Sequence, residues 1–96
     1  MRVEEFLISS FVFPNVSGFK YLIKAIQIVK SDPNYSKNKH LYSKVAEFFE
    51  KTPQNVERGI RYIVDNKLTV EDYAKLGLTK KLTISEFIYY FATQGE

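Results

Sequence analysis

Residues 41–64 read LYSKVAEFFEKTPQNVERGIRYIV, and this stretch decides the fold. Leu41, Val45, Phe48 and Phe49 recur at helical spacing, which predicts a helix from Leu41 to about Phe49 with those four residues buried. Thr52-Pro53 then starts a second helix. Threonine serves as N-cap and proline occupies the first helical position, where its missing N–H costs nothing. Val56, Ile60, Ile63 and Val64 form the buried side of that helix. A helix-turn-helix needs a small residue at the crossing, apolar anchors on both helices and a short turn. Ala46 supplies the small residue, and Val45, Phe49, Val56 and Ile60 supply the anchors. Gly59 costs about 1 kcal/mol relative to alanine inside a helix, so it marks a close approach by a neighbouring helix. The turn holds Glu50-Lys51 where many such motifs carry glycine at positive φ. Either a less sharp turn or a strained Glu50 is expected.

The face of the second helix turned away from its anchors carries Gln54, Asn55, Glu57, Arg58 and Arg61. These side chains can read base edges: arginine matches guanine, asparagine or glutamine matches adenine, and glutamate accepts from cytosine. Lys37, Lys39, His40, Lys44, Lys51 and Thr52 precede or flank that helix and are expected to contact phosphates. The competing reading is a plain helical hairpin with a solvated basic face. Agreement of small residues, anchors, cap and basic face within one window favours the helix-turn-helix.

Working outward, apolar spacing stays helical nearly everywhere, and no hairpin signal such as Asn-Gly appears. A first helix is predicted from about Val3 to Phe11, stopping before Pro14, with Ser17 as N-cap of the next. The second, Phe19 to about Ser31, is apolar around most of its circumference and is expected to be the central helix. It stops at Asp32-Pro33-Asn34, and YSKNKH (35–40) reads as a polar basic loop. A short helix after Thr69 ends at Gly77 as a left-handed cap, and a last one spans Thr83 to Gln94. The expected fold is all-α: one compact domain over residues 1–96, about six short helices, with the helix-turn-helix at about 41–64.

Composition narrows the function. With 96 residues, 45% of them hydrophobic and 16% aromatic, the chain fits one domain with one core. Cysteine is absent, so a disulfide framework, a thiol nucleophile and a cysteine zinc site are excluded. No apolar run approaches the roughly 20 residues of a membrane span, and Glu4-Glu5 give the N-terminus the wrong charge for a signal peptide. A cytoplasmic, nucleoid-associated protein is expected. The net charge of +3 permits a nucleic-acid partner without demanding one. No catalytic constellation, metal set or cofactor motif is present: His40 is the single histidine and has no serine–base–acid companions. The adjacent pairs Glu4-Glu5 and Glu71-Asp72 do not face each other on a helix and suit first-turn charges. Phe87-Ile88-Tyr89-Tyr90-Phe91 is read as core plus a partner-facing edge.

Four segments together carry a resemblance: GFKYLIKAIQIV (18–29), LYSKVAEFF (41–49), VERGIRYIV (56–64) and SEFIYYFA (85–92). In order and in most spacings they resemble the C-terminal effector-domain family of the stage-zero sporulation response regulators of endospore-forming bacteria. The resemblance implies a six-helix DNA-binding module that takes short promoter boxes in duplex DNA, pairs head to tail as a homodimer and contacts an RNA polymerase sigma subunit. It carries over Glu57, Arg58 and Arg61 as recognition-helix residues. It does not carry over Asn55, where the family has an arginine, and the segments after Asp32 and Asn66 are shorter here. The phosphate-accepting receiver domain that precedes such modules is absent from these 96 residues, so control by aspartyl phosphorylation is not expected within them. A sequence-specific transcription regulator without catalysis or cofactor is the preferred reading. The alternative is an interaction protein that modulates a full-length regulator or a sigma factor.

Overall fold

The structure, a computed structural model, describes residues 1–37 and 40–94. Six α-helices are formed among them: α1 (Val3–Ser9), α2 (Ser17–Ser31), α3 (Leu41–Phe49), α4 (Pro53–Arg61), α5 (Val70–Ala74) and α6 (Ile84–Thr93). No strand occurs among the described residues, and the all-α expectation holds. None of these helices is long and apolar enough to cross a membrane.

α2 packs on α1, α3, α4 and α6, as a helix with so little polar circumference must. Its buried residues include Phe19, Tyr21, Leu22, Ala25, Ile26 and Val29. A second focus lies between α1, α5 and α6. There Phe6 stacks against Tyr73, Phe87 and Phe91 with ring centroids 5.5–6.0 Å apart, in the tilted geometries that aromatic quadrupoles favour. Lys75 ties this end together by donating to the Ser9 carbonyl at 2.8 Å, which satisfies an acceptor at the end of α1.

Three helix ends use the same device. After α1, α3 and α5 the chain turns through a left-handed residue: Phe11 (φ 64°), Glu50 (φ 58°) and Gly77 (φ 78°). In each, a paired set of backbone bonds closes the end, such as Lys51 N–H to the Ala46 carbonyl with Glu50 N–H to the Glu47 carbonyl. This is the Schellman arrangement. Glycine occupies one of the three sites, and the predicted left-handed cap at Gly77 is observed. Of the two expectations for the turn at 50–51, the left-handed Glu50 is the one realised.

Several expectations need correction. α1 stops at Ser9, because the chain reverses through Phe11 before Pro14 is reached. Ser17 is the first residue of α2, Val16 holds the cap position, and no side-chain cap bond forms. Pro33–Lys37, read as the helix stop and the start of the loop, makes a turn of 3-10 helix, at whose start the Asp32 carboxylate accepts from Asn34 N–H at 3.2 Å. Phe48 is 58% exposed while Ala46 is buried. Phe49 is partly buried, with its ring 5.5 Å from that of Tyr21 on α2, and Phe48 lies on the side of α3 that no helix covers among the described residues. Finally, α4 continues into a π-helical segment, Tyr62–Lys67, in which Leu68 N–H reaches the Ile63 carbonyl at 3.0 Å. The widened turn lets Ile63, Val64 and Leu68 all reach the core.

Candidate nucleic-acid interface

The site is built on α4. Thr52 Oγ1 accepts from Asn55 N–H at 3.1 Å, and Pro53 follows at the first helical position, so the N-terminus of α4 is closed as predicted. The Thr52 hydroxyl proton stays available to an outside acceptor. Val56 and Ile60 are fully buried and anchor the helix. At 100° per residue Arg58 stands about 200° from both of them, at the centre of the outward face. Asn55 flanks it on one side, Gln54 and Arg61 on the other, and all four are exposed.

Gly59 sits against a neighbouring helix. Its nearest neighbours are the Tyr21 ring and Gly18 Cα, and a Cβ on Gly18 would lie 2.7 Å from the Gly59 carbonyl carbon. The neighbouring helix that approaches Gly59 is therefore α2. α3 crosses α4 at its other side, with buried Val45 and Ala46.

Charge is not uniform over this face. Glu57, half-buried, forms an ion pair with Arg61 four residues on, and Asp65 stands 3.9 Å from the same guanidinium. Glu57, Arg61 and Asp65 thus form a mixed-charge row that reaches towards Tyr42 on α3. Burial, and then the Glu57 carboxylate, push the pKa of that tyrosine above its ordinary value. Arg58 has no acidic partner among the described residues, and neither has Lys51. Two of the sequence-predicted reading residues therefore engage each other, while Gln54, Asn55 and Arg58 stand clear of them.

The flanking residues are spread more widely. His40 lies at the start of α3, Lys44 is exposed on α3, and Lys51 is exposed in the turn before α4. Lys37 ends the 3-10 turn, and Lys39 lies outside the described residues.

Residues 3–93 match the family described as sporulation initiation factor Spo0A, C terminal. The chain belongs to this family. No solved structure matches it. Membership in the Spo0A C-terminal family makes the chain a DNA-binding domain of a sporulation transcription factor, with double-stranded DNA as its partner. The family match spans α1 to α6, so the aromatic focus around Phe6 and Phe91 belongs to the module as much as α3 and α4 do.

Sequence reasoning missed one part of this surface. A groove of about 610 Å³ runs between α4 and the start of α2, and its lining includes Ser17, Lys20 and Tyr62 beside Lys51, Asn55 and Arg58. The available signal was the pair of glycines: with no side chain at Gly18 or Gly59, α2 can lie directly against α4 and bring Lys20 to its flank.

Proposed function

We propose that this domain reads a specific duplex sequence by laying the outward face of α4 in the major groove, and so regulates transcription. The observation that carries the reading is Arg58. It is exposed, centred on the face opposite Val56 and Ile60, and lacks an acidic partner among the described residues. Its planar fork suits guanine O6 and N7. Gln54 and Asn55 are its neighbours for adenine edges. Glu57 and Arg61 act as a coupled pair, and base contact by either requires their ion pair to open. An i,i+4 helix pair at the surface is worth only about 0.3–0.5 kcal/mol, so a base or phosphate can displace it. Lys37, Lys39, His40, Lys44, Lys51 and Thr52 are the phosphate contacts of this proposal. Pairing of two copies on adjoining boxes and contact with a polymerase sigma subunit rest on the family resemblance.

The test uses a site selected from random duplex DNA. Arg58→Ala should lose about 1–3 kcal/mol on the selected site and much less on a scrambled duplex, with folding checked by melting. An equal loss on both duplexes would reduce Arg58 to an electrostatic contact. No loss on either would transfer the reading to an interaction protein that modulates another regulator.

A further inference from the structure

The groove beside α4 collects cations from three separate elements: Lys20 from α2, Lys51 from the turn and Arg58 from α4. Among the described residues no acidic one lines it, and α2 contains none at all. Among the described residues no carboxylate pairs with any of the three. The Lys20 ammonium lies 5.1 Å from the Phe49 ring centroid and 5.8 Å from that of Tyr21. Those aromatic faces attract the cation and restrict where it can go. The Ser17 and Tyr62 side chains add hydroxyl groups to the same lining, and Tyr62 is 47% exposed. Lys20 stands on a helix beside α4. With α4 in a major groove, the start of α2 flanks it and meets the strand backbone, where contacts set register and carry no sequence information. Lysine, a point charge without a planar fork, suits phosphate oxygens in that position.

We propose that this groove is a phosphate site, that Lys20 is its central ligand, and that the phosphate it takes belongs to the DNA backbone beside the bases contacted by Arg58. The proposal rests on the duplex-reading function above and extends the footprint from α3 and α4 onto α2. Ser17 and Tyr62 donate hydroxyl hydrogen bonds to the same phosphate or its neighbour. The Gly18–Gly59 contact serves this site by holding α2 close enough to share it.

The experiment measures binding of the whole chain to the selected and scrambled duplexes across a salt series. Lys20→Gln should weaken both by the same factor and reduce the slope of log affinity against log salt by about 0.9, so that a fourfold rise in salt costs it about 3.5-fold less than wild type. Lys20→Arg should keep the wild-type slope. Lys30→Gln, at the far end of the same helix, should leave affinity and slope unchanged. Wild-type affinity and slope in Lys20→Gln, with Arg58→Ala still impaired on the selected site, would overturn the groove and leave the duplex reading standing. A loss confined to the selected site would make Lys20 a base contact and overturn it as well. Absence of duplex binding by the wild-type chain would remove both proposals. Inorganic pyrophosphate titrated without DNA distinguishes the other source of phosphate. Saturable, Lys20-dependent binding of pyrophosphate, together with unaltered duplex binding by Lys20→Gln, would reassign the groove to a free phosphate ligand and overturn the backbone assignment.

Discussion

Tyr73 illustrates what a single buried residue costs. Its ring is fully buried among Phe6 and Phe87, with centroids 5.8 and 6.4 Å away. Its hydroxyl lies near the Leu82 backbone without forming a well-shaped hydrogen bond to it. A buried hydroxyl left in that condition costs free energy, and removing it costs little or nothing. Tyr73→Phe is therefore expected to be level with wild type or more stable by up to about 1 kcal/mol at neutral pH. Burial also pushes the phenol's pKa far above its ordinary 10.0. The sign follows directly. Above pH 10 the unfolded chain loses this proton while the folded one keeps it, so folding stability falls as pH rises. Melting curves above pH 10 should fall less steeply in Tyr73→Phe, and identical slopes would place the alkaline titration elsewhere.

Among the elements, the turn between α3 and α4 decides how the reading helix is presented. Glu50 is held left-handed there, a conformation that costs an L-residue about 1–2 kcal/mol. Glycine removes that cost but adds freedom to the unfolded chain, worth about 0.4–1 kcal/mol in the other direction. Glu50→Gly should stabilise the domain by about 0.5–1 kcal/mol net, read as a higher melting temperature. A lower one would mean that the side chain at position 50 contributes more than its backbone strain removes. The boundaries of α3 and the Thr52-Pro53 start of α4 were legible because they depend on residues within one or two turns of each other. The exposure of Phe48 was not. Both phenylalanines of α3 satisfy helical spacing, and only the placement of α2 selects Phe49, whose ring meets Tyr21 at 5.5 Å. Phe48 is left outside beneath the Lys24 ammonium, 3.9 Å from its ring centroid.

For the whole molecule the contact between α2 and α4 is decisive, because it joins the central helix to the reading helix. A methyl group on Gly18 would meet Gly59 backbone atoms and stand 2.9 Å from Ile63 Cδ1. Backbone cannot step aside as a flexible side chain can, so the helices must separate. Gly18→Ala should cost at least about 1–3 kcal/mol, the usual penalty for overpacking. For a domain of this size each 1 kcal/mol lowers the melting temperature by about 4–8 °C. Gly59→Ala would meet Tyr21 ring atoms at 3.0 and 3.2 Å and Gly18 Cα at 3.3 Å, looser contacts than those at Gly18, and it gains about 1 kcal/mol of helix propensity. It should be clearly the milder of the two. Equal melting temperatures would show that α2 and α4 do not rely on that contact.

The sequence by itself determined that six helices form and roughly where, how α4 is capped, and that Val56 and Ile60 oppose Arg58. Each of these follows from short-range periodicity and local hydrogen bonding. Tertiary structure alone decided which helix covers which: that Gly59 meets Gly18, that Phe49 is covered while Phe48 is not, and that Lys20 joins Arg58 across one groove. A helix's own pattern specifies that a face must be buried and is silent about its partner. Partner and crossing angle follow from how six such faces fill one volume without voids or collisions.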